Sequence, residues 1–183
     1  MAVIAIDLDG CLYSYHSAFV YMARNCLGVD MPDASEWDHW NWPFQYLSDY
    51  EQEWMEDEAV KLGLYRYGHI MKGGILAVRK IAETHDVIVV THRPREAVRD
   101  TLAWLTYADL PLSGLHILSD GQPKSSVKWD LLIDDKFNNI TDAVCHARKA
   151  VLFDQAWNRE DHALYRATWE RMEGTIERAL RPE

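Results

Sequence analysis

Short aliphatic runs alternate along this chain with stretches whose apolar residues recur every three to four positions. The run Val3–Ile6 is apolar throughout and closed by Asp7, Asp9 and Gly10, which predicts a buried strand. Residues 87–90 (Val-Ile-Val-Val) repeat that character and end at Thr91, 131–133 end at Asp134 and Asp135, and 150–153 end at Asp154. Residues 115–118 form a weaker fifth run. Between these runs Ile75, Val78, Ile81 and Ala82 share one helical face, as do Val98, Leu102 and Leu105, and Ile140, Val144 and Ala147. Strands separated by such helices predict an α/β fold: a Rossmann-like core with a parallel sheet flanked by helices and right-handed crossovers. In open sheets of this kind ligands bind beyond the carboxyl ends of the strands. Asp7, Thr91, Asp134 and Asp135 are therefore expected to converge despite their separation in sequence.

The alternation fails between residues 13 and 72. That stretch is aromatic, acidic and helix-like, with Trp37, Trp40, Trp42, Phe44, Tyr46, Tyr50 and Trp54. It starts directly after the loop of the first strand and ends at Gly73-Gly74. A small helical cap inserted after the first strand is expected here, leaving 1–12 and 73–183 as the core. Near the carboxyl end Leu164, Trp169, Met172, Ile176 and Leu180 predict a packing helix over about 160–180.

Composition narrows the partners. A chain of 183 residues, 48% hydrophobic and 26% charged, suits one globular core with an insertion. It holds no run of 18 apolar residues, so no membrane span is expected. Met1 leads straight into the first strand without a basic leader, which argues against a signal peptide. Cys11, Cys26 and Cys145 lack metal-ligand spacing and cannot all pair, which fits a reducing cytoplasm. A net charge of −10 repels a polyphosphate backbone and disfavours nucleic acid, while a small phosphate ester neutralised by a metal ion stays compatible.

The chemistry starts at Asp7-Leu8-Asp9-Gly10. Two carboxylates at i and i+2 past a strand end can divide a reaction, the first attacking and ligating a cation, the second giving and taking a proton. Gly10 permits the sharp turn that brings backbone close to a ligand. Taken alone, the segment is equally an Asp-rich turn.

Taken with the other strand ends, it resembles the haloacid dehalogenase superfamily. Asp7 to Gly10 match its Asp-x-Asp-Gly motif, and the run ending at Thr91 matches its strand closed by Ser or Thr. Lys124 in Gly-Gln-Pro-Lys matches its lysine, with Lys128 as rival, and Asp134-Asp135 match its paired acids. The resemblance implies a Mg²⁺-dependent phosphatase with Asp7 as nucleophile and Asp9 as general acid and base. Thr91 and Lys124 would hold phosphate, with His92 and Arg93 in reach. Mg²⁺ would bind Asp7, the carbonyl of Asp9 and an acid of the Asp134/Asp135 pair, Asp135 being the better direct ligand. The alternatives are a helix cap for Thr91, a surface role for Lys124, and a surface or packing role for His92 and Arg93.

A finer resemblance, to the 5′(3′)-deoxyribonucleotidases, rests on 7–12 and the aromatic residue after it, on 131–136, and on Leu-Phe-Asp-Gln-Ala-Trp-Asn-Arg at 152–159. It implies a nucleoside monophosphate substrate whose base lies between aromatic side chains of the cap. Tyr15 is the first candidate wall, and Trp40 and Trp42 are the next; the cap tryptophans equally read as the cap's own core. The stretch 91–105 is also similar to phosphatase domains of polynucleotide repair enzymes, which makes a polynucleotide 3′-phosphatase the alternative. The charge and the cap weigh against it. A catalytically silent binding protein on the same fold is a third alternative, opposed by the presence of both Asp7 and Asp9. A homodimer is compatible with any of these.

Overall fold

The computed structural model describes residues 1–181. After β1 (Val3–Ile6) come α1 (Tyr15–Met22), extended by a π turn at Ala23–Leu27, and α2 (Asp49–Glu58). The chain continues through α3 (Gly74–Ala82), β2 (Asp86–Thr91), α4 (Val98–Ala108), β3 (Gly114–Ile117) and β4 (Leu131–Asp134). It closes with α5 (Phe137–Cys145), β5 (Lys149–Phe153), β6 (Arg166–Ala167) and α6 (Met172–Leu180). The strands pair in parallel in the order β3-β2-β1-β4-β5-β6.

Alternation along the strands builds two cores. Ile4, Ile6, Val87, Val89, Leu131 and Ile133 face Val78 and Ile81 of α3, Trp104 of α4 and Ile176 of α6. Ala5, Ile88, Val90, Leu132 and Leu152 face Ile140 and Ala143 of α5, and Trp129. Both faces are covered, so the central strands carry apolar side chains at every position between their ends. The strand order reverses beside β1, which lies between β2 and β4. Beyond that reversal the carboxyl ends of three adjacent strands present Thr91, Asp7 and Asp134-Asp135 to one crevice.

Several expected elements shift. The third strand starts one residue early, and its half-buried edge position explains its weak apolar signal. In α4 the inward row is Thr101, Trp104 and Ala108, continuing from Ala97, while Leu102 is exposed. Trp104 sets that rotation: its indole donates to the Gly68 carbonyl at 3.0 Å and meets the Tyr13 ring edge-on. In α5 Ile140 pairs inward with Ala143; Val144 is exposed and Ala147 lies past the helix at positive φ. The expected packing helix over 160–180 begins only at Met172. Ahead of it runs β6, and Leu164 is 89% exposed. Side chains hold that short edge strand, the Arg166 guanidinium donating to Asp154 Oδ1 and to the carbonyls of Asp161 and Asn158, so apolar period carries no sign of it.

The segment between β1 and α3 leaves and returns side by side. The Ser14 amide donates to the His69 carbonyl at 2.9 Å and the Met71 amide to the Leu12 carbonyl at 2.8 Å. Phe19, Val20, Met31, Trp37, Leu47, Met55 and Leu64 form a separate apolar cluster in this insertion, which also takes in Ala156 and Trp157 from beyond β5. No helix among the described residues is long and apolar enough to cross a membrane.

Candidate active site

Asp7 follows β1, and its amide donates to the Ile133 carbonyl at 2.9 Å, which locks the end of β1 to β4. Lys124, on a short 3₁₀ turn (Lys124–Ser126) between β3 and β4, reaches inward until it is 2% exposed. Its ammonium donates to Asp7 Oδ1 at 2.5 Å and to Asp134 Oδ2 at 2.6 Å. Asp134 has no oxygen to spare: Oδ2 also accepts from Asn139 Nδ2, and Oδ1 accepts from the Lys136 amide. Lys128 is exposed and stands outside this cluster.

Asp135 is 1% exposed, and its two oxygens differ. Oδ2 accepts from the Trp157 indole at 2.9 Å, whereas Oδ1 has no hydrogen-bond partner. Gly10, at φ +83, runs so close that a Cβ there would lie 2.2 Å from Oδ2, so no other residue fits. Oxygens of Asp7 and Asp135 and the Cys11 sulfur all lie within 4.8 Å of one another. A buried carboxylate oxygen without a donor, beside a second carboxylate, fits a hard divalent cation that takes oxygen ligands.

Asp9 is gripped by Arg93. The guanidinium donates through Nε to both Asp9 oxygens, at 3.1 and 2.9 Å, and through Nη2 to Oδ1 at 2.6 Å. Its Nη1 donates to the Tyr65 carbonyl and the Thr101 hydroxyl, and its Cζ lies 4.2 Å from the Tyr13 ring centroid. Sequence leaves Arg93 open between a phosphate contact and a surface or packing role; the structure buries it and commits it to Asp9. Its position two residues past Thr91 is the only sequence signal of that task, and an arginine there reads equally well as exposed.

Asp7, Asp9, Thr91, His92, Lys124 and Asp134 line a cavity of about 210 Å³, closed by Tyr15, Tyr65 and Trp40. Thr91 ends β2, and its hydroxyl accepts from the Arg93 amide at 3.4 Å; it caps no helix, because the following turn starts from Pro94. His92 sits exposed at the rim, with Nε2 2.7 Å from the Gln122 carbonyl. Tyr15 stacks on Tyr65 with centroids 5.8 Å apart, and the Lys136 ammonium lies 5.0 Å from the Trp40 ring. Trp42 is elsewhere. It packs on Trp37 and Tyr46 within the insertion and does not line the cavity, because Trp40 takes the inward position.

Residues 1–181 match the sequence profile of the family described as "5′ nucleotidase, deoxy (Pyrimidine), cytosolic type C protein". The chain belongs to this family. It is a phosphatase of the nucleotidase kind on a haloacid dehalogenase-like fold. Among solved structures, a haloacid dehalogenase-like protein of unknown function from Agrobacterium tumefaciens superposes with a TM-score of 0.69 at 14% identity, covering 97% of this chain and 98% of the other. A haloacid dehalogenase-like hydrolase from Streptococcus pneumoniae gives 0.67 at 14% identity, over 96% and 98%. A phosphatase of that superfamily from Thermococcus onnurineus gives 0.59 at 16%, over 96% and 98%. A search of curated proteins found no match.

In this nucleotidase the acid cluster carries more negative charge than Lys124 offsets. Burial pushes the Asp7 carboxyl up to about 7, with the charges of Asp134 and Asp9 adding to the rise and Lys124 opposing it. Burial, then Asp134 and Asp7, hold Asp135 well above the ordinary carboxylate range. Burial also works against the Lys124 ammonium, but Asp134 and Asp7 outweigh it and keep its pKa above the usual lysine value. Burial and the nearby carboxylates raise the Cys11 thiol, leaving it a neutral, poor ligand. The unfolded chain releases the Asp7 proton near 4 and the folded chain near 7, so the folded state binds more protons between those values. Metal-free protein should therefore lose stability as pH rises from about 4 to 7. Melting curves should show a divalent cation raising Tm by roughly 5 °C more at pH 8 than at pH 5. An equal rise at both pH values would contradict this charge balance.

Proposed function

We propose that this enzyme hydrolyses nucleoside monophosphates, deoxy forms first, through a phosphorylated Asp7 and with Mg²⁺ as cofactor. The observation that carries the reading is Asp7, held on Lys124 beside an Asp135 oxygen without a partner, in a cavity walled by aromatic rings. Lys124 occupies Asp7 Oδ1, which leaves Oδ2 for attack. That oxygen bonds to phosphorus as the ester P–O bond breaks, and Asp9 delivers a proton to the departing alkoxide. Water then gives a proton to Asp9 and attacks phosphorus, the bond to Asp7 breaks, and inorganic phosphate leaves. Mg²⁺, held by Asp7, Asp135 and the Asp9 carbonyl, would supply the positive charge that offsets repulsion between a carboxylate and a phosphate dianion. Thr91 and His92 meet phosphate oxygens, and Asp134 orients Lys124.

The insertion, residues 13–72, serves as the cap. Tyr15, Tyr65 and Trp40 give the base flat apolar walls, and the family description makes pyrimidine deoxynucleotides the first substrates to test. Trp42 is assigned to the cap's core. We take the enzyme to work in the cytosol, as the family description suggests and as the free thiols of Cys11, Cys26 and Cys145 suit.

Phosphate release from a panel of nucleoside monophosphates, sugar phosphates and 3′-phosphorylated oligonucleotides tests the whole reading. Activity should need Mg²⁺, vanish in chelator, and fall at least ~10³-fold in Asp7→Asn. Asp7→Asn retaining a tenth of the rate would sink the nucleophile. Preference for an oligonucleotide over every mononucleotide would replace the substrate.

Arg93→Lys tests the proton step, because an ammonium lacks the planar fork that holds both Asp9 oxygens. Its kcat should fall roughly 10- to 100-fold on a nucleoside monophosphate, whose alkoxide needs a proton. The loss should be much smaller on p-nitrophenyl phosphate, whose phenolate leaves unaided. Equal losses on the two esters would show that Arg93 serves only the fold.

Tyr15→Ala should cost roughly 5- to 150-fold in kcat/KM on nucleoside monophosphates, through loss of base stacking. Hydrolysis of p-nitrophenyl phosphate should barely change. Parallel losses would mean that Tyr15 supports the catalytic loop and reads no base.

A further inference from the structure

We infer that Trp157 is the positioning residue for Asp135, and that it ties divalent-cation binding to the packing of the inserted segment. The inference rests on the assignment of Asp135 as a Mg²⁺ ligand proposed above.

Trp157 lies on a short turn (Ala156–Asn158) just past β5 and is 7% exposed. The turn and Gln155 before it make three hydrogen bonds to Asp135 and the Gly10 loop. The Trp157 indole donates to Asp135 Oδ2, Asn158 Nδ2 donates to the Asp135 carbonyl at 2.7 Å, and Gln155 Nε2 donates to the Gly10 carbonyl. Asn158 Nδ2 also donates to the Phe153 carbonyl, so the turn is anchored to the strand that precedes it.

A carboxylate has two equivalent oxygens and a soft terminal torsion, so an unrestrained Asp135 would present either one. The indole N–H removes that freedom by engaging Oδ2, and the orphaned Oδ1 becomes the atom offered to a cation. Among the described residues this indole is the only side-chain donor to the Asp135 carboxylate. Donors of this kind orient metal ligands and keep them pre-organised.

The other face of the same ring belongs to the insertion. The His16 ring lies 3.9 Å from it, centroid to centroid, and the rings of Trp37 and Trp40 lie 6.1 and 6.4 Å away. Trp157 is counted among the apolar cluster formed by Met31, Ala34 and Trp37 of the insertion. One rigid bicyclic ring therefore spans from the insertion's core to the cation ligand. Packing that fixes the ring favours the ligating arrangement of Asp135, and by linkage a bound cation must favour that packing equally.

The test titrates the metal-free, full-length protein with Mg²⁺ by calorimetry. Trp157→Phe keeps a packed ring and deletes the donor; its Kd for Mg²⁺ should rise roughly 10- to 100-fold. Trp37→Phe loosens the packing around the same ring without touching Asp135, and its Kd should rise by a smaller factor, about threefold, through the linkage alone. Equal weakening in both variants, or none in Trp157→Phe, would overturn the inference. Hydrogen exchange on the wild type needs no variant to fold: Mg²⁺ should slow exchange in residues 14–37, and unchanged exchange there would overturn the link. A wild type that binds no Mg²⁺ would overturn the cofactor assignment and this inference with it. Tight binding by both the wild type and Trp157→Phe would overturn this inference alone.

Discussion

One buried ammonium holds this site together. Lys124 stands between Asp7 and Asp134 with almost no access to water, so each of its hydrogen bonds is made in a medium that screens charge poorly. Removing an ammonium and two carboxylates from water is expensive, and it is tolerable only when every partner is in place. That requirement dictates the surroundings: Asn139 and the Lys136 amide complete Asp134, and the Ile133 carbonyl fixes the backbone at Asp7. Asp135 is left over, a third carboxylate that one lysine cannot serve. With all three ionised the cluster is two positive charges short, and the partnerless oxygen marks where a divalent cation fits.

A second buried cation does the corresponding task for Asp9. Arg93 is planar and carries five donors, so it can fork across both Asp9 oxygens while still reaching the Tyr65 carbonyl and Thr101. Burial works against the Arg93 charge, and Asp9 more than offsets it, raising the guanidinium pKa further. Because Tyr65 belongs to the insertion and Thr101 to α4, the position of Asp9 depends on both sides of the cavity. Trp157 does the same for Asp135 from beyond β5. Asp9 and Asp135 are thus held by side chains that also touch the insertion, which makes that segment part of the site's construction as well as its cover.

Sequence alone determined the α/β architecture and the central strands, because a strand buried on both faces must be apolar at every position and few other segments are. It also determined the convergence of Asp7, Thr91, Asp134 and Asp135, since parallel strands present their carboxyl ends to the same side of the sheet. Periodicity misjudged the inward faces of α4 and α5 and missed β6. There, one large indole, a left-handed Ala147 and an arginine network decide the geometry, and none of these has a period. Only the tertiary structure separated Asp134 from Asp135, Lys124 from Lys128, and Trp40 from Trp42. Each pair offers the same chemistry a few residues apart, and what distinguishes its members is which one meets a buried partner. Arg93 and Trp157 belong to the same class. Their tasks are set by contacts 84 and 22 residues away along the chain, and such contacts exist only once the chain has folded.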